Sequence, residues 1–183
     1  MPTQDRFAVA SDVSNDGGMG TAEWQDLGQL VSNNDSSAFV VLAAGQTSQF
    51  LVCTNFGFTL GPDSVAKYIW PAVRLSASTD NAIRWAALRM IRDGQIELTD
   101  DPYMATYSAW QVDLFYQTVY VETGVTGTWT TEQLNSTGFG FALAIVNSSA
   151  VAVSGFLDLV SIGINYTVGG GMGASQSGLM GVI

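Results

Sequence analysis

Histidine is absent from the chain. Its absence excludes Ser-His-Asp and Cys-His catalysis and removes the commonest zinc ligand. There is one cysteine, Cys53, so no intramolecular disulfide can form. Its setting, SQFLVCTNF, is apolar and predicts a buried strand thiol that packs as a small hydrophobe. Positive charge is scarce: six Lys and Arg stand against sixteen Asp and Glu, for a net charge of −10. That balance argues against nucleic acid as a partner, because phosphate binding needs clustered cations. Charged residues make up 12% of the chain, about half the usual share of a soluble domain, which predicts a surface that faces other protein. No run approaches the roughly twenty apolar residues of a membrane-spanning helix. The opening MPTQDRFAVAS has no basic segment and no long apolar stretch, so neither a membrane nor a signal peptide is expected.

What is present is core-forming material. Apolar residues reach 47% over 183 residues, enough for one sizeable domain. SAFVVLAA (37–44) and SQFLVCTNFGF (48–58) are β-branched and aromatic runs around a turn-like GQT. SVAKYIWPAVRLSAS (64–78) alternates, with Lys67, Ile69, Pro71, Val73 and Leu75 on one parity and Tyr68, Trp70, Ala72 and Arg74 on the other. Pro71 cannot donate to a ladder, so it predicts an edge or a bulge there. In AIRWAALRMIRDGQIEL (82–98), Asp93-Gly94 predicts a tight primed hairpin turn. Residues 111–122, 138–147 and 150–168 read as further strands. Phe139, Phe141, Leu143 and Ile145 share one core face, and Phe156, Val160, Ile162, Ile164 and Tyr166 share another. Thr130 and Gln133 have capping-box spacing, which predicts one short helix. Many short strands with turn residues between them predict an all-β, antiparallel sandwich over 23–168. The polar, glycine-rich segment 1–22 reads as an arm outside it, and 169–183 as a glycine-rich tail with an apolar end.

The order of these pieces resembles a β-sandwich domain of bacteriophage virion proteins and some bacterial surface proteins. The residues that carry the resemblance begin with Phe56-Gly57-Phe58, Gly61-Pro62 and Ser76-Ala77-Ser78. Ile83, Leu88 and Gly94 follow, then Gly127-Thr128-Trp129-Thr130, Asn135-Ser136, Phe139-Gly140, Asp158 and Tyr166. The resemblance implies a single jelly-roll-like sandwich in a virion, assembled in the host cytoplasm, with no catalytic residues and no cofactor. It implies a structural role such as capsid decoration or head fibre. Its partners would be other virion proteins and further copies of itself, with a homotrimer as the first expectation. The alternative reading is a tail-associated module that binds a receptor or a host surface glycan.

Three sets of residues are candidates for sites. Asp12, Ser14, Asp16 and Glu23 have the spacing of an EF-hand calcium loop, with Gly17 at the turn position. An EF-hand needs a helix on each side, and neither flank shows one, so a polar arm is the preferred reading. Parity sets Leu88 and Met90 inward and Trp85, Arg89 and Ile91 outward. If this strand pairs with 64–78, then Trp70, Arg74, Trp85 and Arg89 form one outer patch. Trp and Arg are enriched at interface hot spots, so the patch is the candidate contact between copies. Tyr103, Tyr107 and Trp110 cluster in a loop-like segment and are candidates for stacking on a sugar. Four Asn-x-Ser/Thr triplets, beginning at Asn34, Asn135, Asn147 and Asn165, read as chance matches.

Overall fold

Runs of period-two apolar residues become strands because one side of each can be buried against a second sheet. The computed structural model of the chain describes residues 3–31, 36–98, 117–120 and 129–168. The strands are β1 (Thr3–Val9), β2 (Asp12–Asp16), β3 (Ala38–Leu42), β4 (Phe50–Thr54), β5 (Ser64–Ala77), β6 (Ile83–Arg92), β7 (Gln95–Ile96), β8 (Gln117–Tyr120), β9 (Gly140–Asn147) and β10 (Val153–Val168). The first sheet has the order β1-β10-β5-β8, with β3 also paired to β10. The second has the order β2-β4-β9-β6-β7. From β1 to β6 each successive strand changes sheet, and the ladders between named strands are antiparallel. The expected antiparallel, jelly-roll-like sandwich is therefore observed.

Residues from both sheets meet in one core. Ile69, Val73, Val160 and Ile162 come from the first sheet, and Leu51, Phe141, Leu143 and Leu88 from the second. Cys53 lies among them, fully buried, and burial pushes its thiol well above the ordinary range. The hairpin between β6 and β7 turns at Asp93 and Gly94 with φ of 51° and 77°, the two positive values a type I′ turn requires. Helix α1 (Thr131–Asn135) starts in the expected capping box. The Gln133 N–H donates to Thr130 Oγ1 at 3.2 Å, and the Thr130 N–H donates to Gln133 Oε1 at 3.1 Å.

The sequence reading puts residues 1–22 in an arm outside the sandwich, and the structure corrects this. Thr3–Val9 pairs with Thr167–Ser161 at the border of the first sheet. Asp12–Asp16 pairs with Thr54–Phe50 at the border of the second. Strand β2 reads as polar because an edge strand needs only one buried face, and here that face is narrow. On β2 only Val13 and Asn15 turn inward. Asn15 grips the backbone of Trp24, accepting from its N–H and donating to its carbonyl, each at 2.9 Å. The tail over 169–183 lies outside the described residues.

Three β-bulges shift the parity that a strict alternation predicts. Asp158 is the extra residue between the pairs Leu157–Leu75 and Leu159–Arg74. Past it, the inward residues are Val160, Ile162 and Ile164, while upstream it is Leu157, not Phe156, that faces the core. Ala86 is the extra residue between Trp85–Ile145 and Ala87–Ala144. Trp85 consequently packs against the inter-sheet core and does not share a side with Arg89. Lys67 is extra between Ala66–Tyr166 and Tyr68–Asn165, so it turns to solvent beside Tyr68. Pro71 causes no such shift. The pairing of β5 with β8 covers Leu75 to Ala72 and ends beside it.

Candidate functional site on the outer face of the first sheet

The side of β5 and β10 turned away from the core carries an unusual set of residues. The register sets Tyr68 opposite Asn165, Trp70 opposite Gly163, Ala72 opposite Ser161, Arg74 opposite Leu159 and Ser76 opposite Phe156. Phe156 in turn faces Phe39 on β3, their ring centroids 6.5 Å apart. The path from Tyr68 to Ser76 spans about 26 Å at strand rise. Aromatic rings therefore stand at both ends of a strip whose floor is Ala72, Ser161 and Gly163. Tyr68 is 45% exposed and Val41, beside Phe39, 50%. Trp70, Phe39 and Phe156 are half-buried.

At the middle of the strip the bulge in β10 turns Asp158 onto the side of Arg74. Arg74 Nε donates to Asp158 Oδ1. The Asp158 side chain is 3% exposed and that of Arg74 40%. A carboxylate so deeply covered needs its counter-charge, because an unpaired buried charge is costly. The pair gives an otherwise apolar strip one charge-assisted hydrogen bond.

The sequence-derived candidates fare differently. Trp70 and Arg74 lie on this strip, as their parity predicts. Trp85 and Arg89 do not join them, because β5 belongs to the first sheet and β6 to the second. The four-residue patch is therefore corrected: its members lie on different sheets, and Trp85 faces inward. Arg89 lies over the Phe50 ring on the far side of the second sheet, 5.4 Å from its centroid. There Phe50, Ala87, Ile91, Ala142 and Ala144 form a second buried cluster.

The calcium alternative does not fit the strand geometry. Asp12, Ser14 and Asp16 are alternate residues of a strand, so Asp12 and Asp16 are about 13 Å apart along it. Calcium needs its oxygens within about 2.6 Å of one point. Asp12 accepts from Asn55 Nδ2 at 2.9 Å, Asp16 accepts from the Gly18 N–H at 2.8 Å, and Glu23 accepts from Gln49 Nε2 at 3.5 Å. Among the described residues no three His, Cys, Asp or Glu side chains are grouped to hold a metal ion. Tyr103, Tyr107 and Trp110 lie outside the described residues.

Sequence reasoning missed Tyr68 and Phe156 as parts of a site, and it gave Asp158 no role. The period-two pattern of β5 carries the signal for Tyr68. Nothing local marks the bulge that sets Phe156 and Asp158 on the outer side of the sheet.

No family model matches the chain, and no curated protein matches it. Two solved structures resemble it in overall form. One is described as "CBM4 structure and function"; it is 15% identical and covers 85% of this chain and 92% of its own, with a TM-score of 0.41. The other is a family 29 carbohydrate-binding module from Piromyces equi; it is 9% identical and covers 89% and 91%, with a TM-score of 0.39. The sandwich architecture rests on the strand pairings above and not on these likenesses.

Proposed function

We propose that the chain is a non-catalytic binding module and that the outer strip of the first sheet binds an extended glycan. The observation that carries this reading is the strip itself, with rings at both ends, small residues between them and a charge pair at the centre. A pyranose presents apolar C–H faces and a hydroxyl rim. The faces stack on aromatic rings, which bury large area at little entropic loss. The hydroxyls need partners once water is displaced, and Arg74, with 40% of its side chain exposed, and the half-buried Asn165 are within the strip to supply them. The missing histidine suits binding without bond cleavage.

Retardation in native gels containing dissolved polysaccharides tests this. The wild-type chain is expected to be slowed by at least one polymer. A Tyr68→Ala, Trp70→Ala double variant is expected to lose about tenfold or more in affinity, taking at least ~1.4 kcal/mol from the two rings together. Unchanged retardation in a variant that keeps its far-UV circular dichroism defeats the reading.

A second reading is assembly on a virion, through further copies or other particle proteins. It is favoured by the 12% charge content and by the exposed Val9, Val41, Val65 and Val168 on strands of the same sheet. It predicts an oligomeric mass by light scattering at micromolar concentration. A monomer across the accessible range counts against it.

A further inference from the structure

We infer that the glycan taken by this strip is uncharged, and that Asp158 makes it so by holding the Arg74 guanidinium in a neutral pair. The inference rests on the glycan-binding reading above. An unpaired arginine on a sheet face is a ready site for carboxylate or sulfate, which its planar fork meets with two hydrogen bonds. Arg74 occupies the centre of the strip, where a bound polymer passes. Its charge is answered from within the chain by Asp158, whose side chain is almost fully covered. The pair keeps polar hydrogen-bonding capacity and loses net charge, which suits hydroxyl groups and not anions.

The other charges near the strip do not reverse this. Lys67 is exposed at the bulge beside Tyr68. The other outward positions named on β5 and β10 are uncharged. The chain as a whole carries −10, so its long-range field repels polyanions before contact. Only an uncompensated cation on the strip would overcome that field locally, and Asp158 removes the one at its centre. At the β10 bulge Leu159 takes the position opposite Arg74, and Asp158, the extra residue, stands beside that pair on the same side.

The test compares two groups of polymers in the same gels, at low and high salt. The neutral group is mixed-linkage glucan, xylan and mannan. The anionic group is polygalacturonate, alginate and chondroitin sulfate. The wild-type chain is expected to be slowed by a neutral polymer, equally at both salt levels, and by no anionic one. The Asp158→Asn variant keeps the shape and removes the carboxylate charge that Asp158 holds against the Arg74 guanidinium. It is expected to gain about tenfold in affinity for an anionic polymer, a gain erased at high salt. A purely structural role for Asp158 would give no such salt-sensitive gain. If the wild-type chain is slowed by an anionic polymer in a salt-sensitive manner, this inference is overturned while glycan binding stands. If neither group slows it, the proposed function fails and the inference with it. A folded Asp158→Asn chain with no anionic gain overturns the assignment to Asp158. If that variant does not fold, the salt series on the wild-type chain decides the question alone.

Discussion

Gly140→Ala is expected to destabilise the protein by about 4 kcal/mol, near the top of the range for a single substitution. A Cβ built at Gly140 would lie 1.9 Å from the carbonyl oxygen of Cys53 and 2.9 Å from its carbon. Both are backbone atoms, so no rotamer change relieves the contact. Gly140 sits in the middle of the second sheet, opposite Thr54 on one side and Ile91 on the other. Making room means parting β9 from β4, and overpacking that moves backbone exceeds the ordinary 1–3 kcal/mol or so. Against a total stability of about 5–15 kcal/mol, the variant should unfold at far lower urea than wild type. Gly28→Ala is the control, since a Cβ there meets nothing within 4 Å and should change stability by less than ~0.5 kcal/mol. Equal urea midpoints for the two variants would falsify this account of Gly140.

The second large effect is expected at Asn147, which is fully buried at the end of β9. Its Nδ2 donates to the carbonyls of Leu42, Ala43 and Val151 at 3.1, 3.0 and 2.7 Å. Its Oδ1 accepts from the Ser149 N–H and hydroxyl, both at 2.8 Å. One side chain therefore ties the β9–β10 turn to the end of β3, across the two sheets. Asn147→Ala should lower stability by about 3 kcal/mol, because it removes a whole set of hydrogen bonds made by one buried side chain, each worth on the order of 1 kcal/mol. Asn147→Asp is the sharper variant at neutral pH. It preserves the shape but turns the donor into a negative oxygen facing three carbonyls, so it should be at least as damaging as alanine. If the aspartate variant melts with wild type, the donor contacts are not what holds this corner. Asn147 also begins one of the four Asn-x-Ser/Thr triplets, and Asn135 begins another. The latter accepts from the Leu60 N–H at 2.7 Å and donates to its carbonyl at 2.9 Å. At both positions the side chain is a structural staple.

The parts of the fold legible in the sequence are those decided locally. Asp93-Gly94 gives a turn because two neighbouring residues take positive φ. Thr130 and Gln133 cap a helix because three residues separate them. Phe139, Phe141, Leu143 and Ile145 give a core face because β9 runs without interruption. What could not be read is set by partners distant in the chain. A bulge is an extra residue relative to another strand, so the sequence of β10 alone does not show that Asp158 is surplus or that Phe156 turns outward. The same applies to Trp85, whose side is fixed by Ala86 against β9. The assignment of β5 and β6 to different sheets is equally non-local, and it separates Trp70 and Arg74 from Trp85 and Arg89. Residues 3–16 are not legible as strands for another reason. An edge strand is held largely by backbone hydrogen bonds, which leave no mark on hydropathy. Of the candidate site, Trp70 and Arg74 were legible through parity. Their true companions, Tyr68, Asp158 and Phe156, required the register.

The position of β10 fixes an order of events during synthesis. It pairs with β1, β3 and β5, so the first sheet is organised around the last described strand. Thr3 finds its partner in Thr167, nearly the full length of the described chain away. At roughly 5–20 residues per second of translation, the opening strand waits several seconds or more for a neighbour. During that interval β3 and β5 stand with bare edges, the state in which strands pair with wrong partners. Once β10 emerges, the long loops must close before the non-local contacts repay them, which puts such topologies in the millisecond-to-second range.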